Sequence, residues 1–457
     1  MRACLVIAGL LILLGPASAH GQNRAIETGA RDPYLGFPGS SGSVAGPFFA
    51  GTELVWAEVD PPRRTIAVVA GGPRGRRVID RHPYEEREFD LDVAEGRVAL
   101  AEYTRETPPR SALRAGPVAG PLSLVEGTCG VRPFVARAAF GVHCPAVLFH
   151  EWAIEVHDAA GVRRYGTPQP DDAQIEGDLI AFHQPAPGFP GADLVVLRRA
   201  TEEEVLRVKR ETGLFDLAAD GTVAYTWAYR SRQVRVASPR RPTPKVIGLP
   251  FAPDEVRLGG DRIAVRQRDA ASPEGQSVSR FAVLERSSGR IVAGHRVRRA
   301  DRGWDFDGER LAWAEKPCMR AYVMVWDVDR RPPAPPAAAC EHARPQGAAR
   351  LYRSGALSLR FACPAGKREC GGLVHAIVRV RNGAGPGREL WLQETPTIVR
   401  DPGERWTETW RLGPYTHSLV RRAREATLEA TVTRFGGYGR AFSWGPEPRK
   451  HTVPLLR

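Results

Sequence analysis

After its first nineteen residues the chain has no long hydrophobic run, so a membrane-spanning helix is not expected in the remainder. Stretches with helical periodicity are scarce, while Gly (47) and Pro (39) are abundant, which suits many short strands joined by turns. Several chemistries lack their residues. No C-x-x-C pair supplies the usual zinc spacing. No G-x-S-x-G elbow presents a hydrolase serine, and no Walker loop cradles a phosphate. The Ser-x-Asp-x-Gly-x-x-Trp turn of sialidase-type propellers is missing as well. His150 and His157 stand seven apart, where a zinc-protease helix needs four, and on a strand they point to opposite faces. Asp305-Phe306-Asp307-Gly308 looks like part of a calcium loop. Placing Gly308 sixth, however, puts Gly303 first and Ala314 twelfth, where carboxylates are required. The aspartates are better read as acceptors for turn amides.

The N-terminus reads as a secretory leader over residues 1–19: Arg2, an apolar run from Leu5 to Leu14, and Ala17-Ser18-Ala19 before His20. Cys4 falls inside it. The other six cysteines, Cys129, Cys144, Cys318, Cys340, Cys363 and Cys370, form an even set that reads as disulfides in an exported chain. Their grouping favours neighbours as partners, although fifteen connectivities are open. The formal net charge of +13 raises nucleic-acid binding. The basic residues are nearly all arginine and scattered, with no compact run interleaved with aromatics, so that reading is set aside. Weak attraction to anionic wall polymers or lipid surfaces fits better. No metal, cofactor or catalytic residue is assigned.

One short pattern recurs: a turn with glycine, then an apolar strand that opens on a hydrophobic–alanine pair. Instances are Glu95-Gly-Arg-Val-Ala-Leu-Ala101, Glu176-Gly-Asp-Leu-Ile-Ala-Phe182, Asp220-Gly-Thr-Val-Ala-Tyr225, Gly259-Gly-Asp-Arg-Ile-Ala-Val265 and Asp307-Gly-Glu-Arg-Leu-Ala-Trp313. Gly51-Thr-Glu-Leu-Val-Trp-Ala57 starts the series and Ala139-Phe-Gly-Val-His-Cys144 is a degenerate copy. Glycines at 51, 96, 141, 177, 221, 260 and 308 match the spacing of four-stranded propeller blades. The small residue after each turn is expected on a strand near the crowded axis. The chain is therefore expected to be all-β: a β-propeller, of seven blades with six or eight as alternatives, followed by a small β-sandwich.

The stretch resembles the TolB-like and WD40-like propellers of secreted bacterial proteins, most clearly in Phe215-Asp-Leu-Ala-Ala-Asp-Gly221 and Trp304-Asp-Phe-Asp-Gly308. That resemblance implies the fold and a habit of protein or glycan binding. Expected boundaries are a flexible lead-in over 20–46, the propeller over 47–330, a Pro/Ala-rich linker over 331–349 and an immunoglobulin-like sandwich over 350–457. The last module resembles the C-terminal β-domains of secreted actinobacterial proteins, which implies an adaptor role. Leu419 to Ala423 is expected to form a helical turn between its strands.

The functional expectation is an exported, non-catalytic scaffold that binds a protein, glycan or envelope component through propeller loops, with Trp227, Tyr229 and Arg230 as candidate contacts. The alternative is a polysaccharide lyase or glycosidase with convergent carboxylates at the channel mouth. Oligomeric state and ligand identity are left open. Export predicts a mature chain that begins at His20 and carries no free thiol. N-terminal sequencing and alkylation in non-reducing denaturant check both, and one labelled cysteine defeats the disulfide count.

Overall fold

A computed structural model describes residues 23–31, 44–60, 65–72, 75–83, 88–103, 111–125, 131–136, 139–144, 152–159, 161–167, 173–185, 192–209, 213–226, 231–271, 277–298, 300–315, 320–334, 341–366, 370–382, 387–392, 398–434 and 449–456. Strands dominate, with one described helix, Pro414–Arg422. No helix among the described residues is long and apolar enough to cross a membrane.

Seven four-stranded antiparallel sheets form the propeller, and a further sheet of eight strands forms the C-terminal sandwich. Blades 1 to 6 are each built from four consecutive strands. Their first strands are Val44–Ala50, Glu88–Ala94, Val131–Ala136, Ala173–Glu176, Phe215–Leu217 and Glu255–Gly259. These strands, with Ala300–Phe306 of blade 7, contact one another in an unbroken ring, so they line the axis. Blade 7 takes three strands from 300–327 and its outermost strand, Arg24–Arg31, from the other end of the chain. Ile26 pairs with Val323 there, and the Thr28 hydroxyl donates to the Ala321 carbonyl at 2.7 Å.

The alternating strand pattern gives each blade two apolar faces, and the hydrophobic clusters follow. One cluster fills each of the seven interfaces between neighbouring blades, for example Val55, Ile66, Leu91 and Leu100 between blades 1 and 2. Between blades 7 and 1, Trp56, Val69, Ala312 and Val323 do the same, which closes the ring. An eighth cluster lies in the sandwich, around Leu359, Phe361, Val378, Trp410 and Leu428.

Several expectations shift. The lead-in at 20–46 contains the strand that closes blade 7, because an apolar outer edge there needs a partner and the chain itself provides it. The glycine turn joins the first strand to the second, so the strand after the glycine is second from the axis, not innermost. Six of the seven glycines have positive φ, and Glu95 (φ 48°) with Gly96 (φ 80°) makes a two-residue turn with both φ positive, the kind that matches strand twist. The seventh, Gly141, is not in a turn. It lies inside the strand Ala139–Cys144 opposite Phe134, at the position alanine takes in other blades. A Cβ there would sit 2.1 Å from the Phe134 ring.

In the sandwich, the first strand, Arg344–Leu351, starts within the expected linker, and Pro414–Arg422 is a two-turn helix where one turn was expected at 419–423. Its other strands include Ala356–Ala362, Cys370–Arg381 and Glu425–Arg434. Cys363 and Cys370 are joined by a disulfide with Cα atoms 5.6 Å apart, and Cys144 is disulfide-bonded. Cys129, Cys318 and Cys340 lie outside the described residues, as do the leader and His150.

If Arg24–Arg31 closes the ring, a mature chain starting at Val44 leaves the blade 7 edge bare. Its Tm should drop by at least about 5–10 °C, measured by circular dichroism. An unchanged Tm would return the segment to a dispensable lead-in.

Candidate functional site

The innermost strand of a propeller blade is an edge strand, with amides that no further strand can pair. Side chains of the preceding blade fill that need here. The Asp92 carboxylate accepts from the Val135 amide at 2.8 Å, joining blade 2 to blade 3. Gln174 bridges blades 4 and 5 twice, accepting from Leu217 N at 2.9 Å and donating to the Phe215 carbonyl at 3.0 Å. Asp216 accepts from Leu258 at 2.5 Å, and Asp305 accepts from Phe49 at 2.8 Å, which locks blade 7 onto blade 1.

These positions are register equivalents. Asp92, Gln174, Asp216, Arg257 and Asp305 stand directly across from Ala99, Ala181, Ala224, Ala264 and Ala312, the alanines of the repeat. In blade 3 the pair is Phe134 across from Gly141, and in blade 1 Phe48 across from Val55. The small residue on the second strand thus accompanies a functional side chain on the first. Asp305, read from the sequence as a turn acceptor, is an inter-blade brace. Asp307 keeps the turn role, accepting from the Glu309 and Arg310 amides at 3.0 and 2.6 Å.

Charge is concentrated along this wall. Burial pushes the Asp92 and Asp216 carboxyls up to about 6, against the opposing pull of amide hydrogen bonds and of Arg257. Asp305 is raised for the same reason. The Arg257 guanidinium lies 3.9 Å from Asp216 Oδ1 and 5.5 Å from the centre of the Trp304 ring, a cation held between carboxylates and a π face. Glu176, at the end of its inner strand, is pushed up to about 7, by burial first and then by Glu95, Asp216 and Asp92.

A second polar tier lies at the other end of the second strands. Glu58, Glu102, His143, His183, Thr226, Arg266 and Glu315 contribute one buried polar side chain per blade. They are held by short-range partners. Glu58 accepts from the Trp56 indole at 3.0 Å and from Arg76. His82 joins Glu102 across the interface of blades 1 and 2, with Asp80 Oδ2 3.5 Å from its other ring nitrogen. Glu255 accepts from the Trp304 indole and lies 3.6 Å from Arg266. The residues that follow these second strands, 61–64, 104–110, 145–151, 186–191, 227–230 (with Trp227, Tyr229 and Arg230), 272–276 and 316–319, lie outside the described residues. The opposite face carries the glycine turns, most of them two residues long. Exposed aliphatic residues of the propeller, such as Val78, Val162 and Val246, stand singly on different blades. Among the described residues, no group of three metal-ligating side chains is close enough to hold an ion.

No family model matches this chain, and no curated protein matches it. Solved structures do match. The β-propeller domain of the Trilobed protease from Pyrococcus furiosus is 10% identical with a TM-score of 0.45, covering 62% of this chain and 95% of that one. TolB from Acinetobacter baumannii is 11% identical, with a TM-score of 0.35 and coverages of 60% and 65%. A prolyl endopeptidase is 11% identical at a TM-score of 0.43, covering 70% of this chain, while the match spans only 54% of that enzyme.

The raised carboxyls have a defined consequence for stability. A carboxyl whose folded pKa exceeds its unfolded value near 4 binds more protons in the native state, so its contribution is full below about pH 4 and fades as pH rises through the folded value. Replacing Asp92 with Asn should therefore raise Tm by about 2–4 °C at pH 8 relative to the parent and leave it nearly unchanged at pH 4. Arg257→Gln removes the shared counter-charge and should lower Tm at pH 8 more than at pH 4. Equal shifts at both pH values would show that the wall does not titrate.

Proposed function

We propose that this chain is an exported scaffold, without catalysis of its own, that recognises a protein, glycan or envelope component through the connections on one propeller face. The observation that carries this reading is the use of the channel's polar side chains. Asp92, Gln174, Asp216 and Asp305 accept hydrogen bonds from the next blade, so holding the ring together accounts for their placement. The second and third strands of every blade are joined by connections of four to seven residues at the end that carries the buried polar tier, while most first-to-second turns at the other end are two residues long. Loops mounted on a rigid frame are where recognition residues concentrate.

The test is a triple variant, Trp227→Ala, Tyr229→Ala and Arg230→Ala, assayed for retention on immobilised envelope glycans and for crosslinking to envelope proteins. Retention should fall about tenfold or more, since truncation of a few aromatic and arginine anchors removes most of a binding energy. Tm should hardly move. Retention equal to the parent's would sink the assignment of this connection.

One observation favours the second reading, a propeller hydrolase or lyase. Glu176 is pushed up to about 7, the range of a general acid, and it lies near other carboxylates. Turnover of a polysaccharide panel that Glu176→Gln abolishes, with Tm unchanged, would replace the scaffold by an enzyme.

A further inference from the structure

The net charge is not shared evenly between the two domains. Residues 341–457 hold 20 Lys+Arg against 10 Asp+Glu, so this quarter of the chain carries most of the +13. The excess has an address. Three strands of the sandwich, Arg344–Leu351, Ala356–Ala362 and Arg405–Arg411, form one end of its sheet, with Ala356–Ala362 in the middle. Alternation sends Leu357, Leu359, Phe361 and Trp410 into the core. Their neighbours must then point outward.

Register lays those outward residues out in rows. Arg344, Ala362 and Arg405 form the first row, and Gln346, Arg360 and Thr407 the second. Arg350, Ser358 and Thr409 form the third; Ala356 and Arg411 end the sheet beside Tyr352. Five arginines therefore share one face, each exposed. No carboxylate points outward from these three strands among the described residues, and no described carboxylate pairs with any of the five. Glu408, on the same strand as Arg405 and Arg411, points to the other side, where it accepts from the Trp406 indole at 2.9 Å. Tyr352 and Leu456, about half exposed at 49% and 53%, flank the Arg350 end of the patch.

We infer that this face docks the protein onto a lipid surface bearing anionic phosphate headgroups. Charge complementarity selects an anion, and the layout selects a surface. With strands about 4.8 Å apart and outward residues about 7 Å apart along each strand, the guanidiniums span two dimensions. Two occupy corners, one the centre and two the opposite margins. A single polyanionic strand lying on the sheet would meet one line of them, whereas a headgroup plane meets all five. Guanidiniums bind phosphate through paired donors, and Tyr and Leu at the margin suit the interfacial layer. The inference is independent of the propeller loops.

Co-sedimentation of the mature chain with vesicles of phosphatidylcholine, alone or mixed with phosphatidylglycerol, tests it. The parent should bind the mixed vesicles, release them as salt rises, and ignore the neutral ones. Each basic residue at such a surface strengthens partition about fivefold. The triple variant Arg344→Glu, Arg360→Glu, Arg405→Glu should therefore lose about 100-fold or more with its Tm intact. Lysine at the same three positions should restore most of the binding. Arg232→Glu, Arg240→Glu and Arg241→Glu on blade 5, which impose the same change in net charge, should retain it. Equal binding to neutral vesicles, or equal losses in the two glutamate triples, would overturn the assignment. So would retention on dextran sulfate or nucleic acid without vesicle binding, which would make the occupant a polymer. The Trp227, Tyr229 and Arg230 variant should bind vesicles like the parent, so failure here is distinguishable from failure of the loop reading.

Discussion

Every blade of this propeller has two apolar faces and buries each only against a neighbour. A single four-stranded sheet would leave both faces in water, and an open row of seven would leave one at each end. The full set of seven inter-blade clusters therefore depends on the ring being closed, which falls to contacts between distant parts of the chain. The Trp56 cluster joins blades 7 and 1, and Arg24–Arg31 completes the outer edge of blade 7. Hydrophobic burial drives the wedging, at about 25 cal/mol per Å². Hydrogen bonds decide which strand wedges where.

Closure creates its own difficulty at the axis. Innermost strands are forced together, so large side chains crowd one another and edge amides face a narrow space away from bulk water. The chain resolves both with one device. A small residue, usually alanine, sits on the second strand, and opposite it a carboxylate or amide reaches to the next blade's amide. Burying three aspartates raises their pKa values, and Arg257 among them offsets part of that desolvation. Chemistry that resembles an active site, with clustered carboxylates shifted upward, is thus what an axially braced ring produces by itself. Glu176 is the exception that keeps an enzymatic reading alive.

The two domains divide the physical tasks. Charges of both signs alternate through the propeller, where most arginines of the described blades have a carboxylate close by, such as Arg207 with Asp193 and Arg262 with Asp329. The sandwich instead sorts its charges by strand. Arg379 and Lys450 pair with Glu429 across Cys370–Arg381, Glu425–Arg434 and Arg449–Leu456, while the five arginines of the other three strands have no such partner among the described residues.

Much of this was legible in the residues themselves. Turn glycines need positive φ and alternation needs a half-buried strand, so the repeat announced four-stranded blades, and Cys363 with Cys370 announced a local staple. Both are local requirements. What the sequence left open was the phase of the repeat: Gly141 looks like a turn glycine, yet it makes room for Phe134 within a strand, because spacing does not say which hairpin faces the axis. The role of Arg24–Arg31 was hidden too, since its partner lies nearly three hundred residues away. Asp305 read as a turn acid, and nothing local marked Asp92 or Asp216, until closure brought the amides of other blades to them. Likewise the net charge was visible as a number, but only strand register placed five arginines on one face. Backbone geometry is written residue by residue; partnership depends on which strands the closed ring and the folded sheet bring side by side.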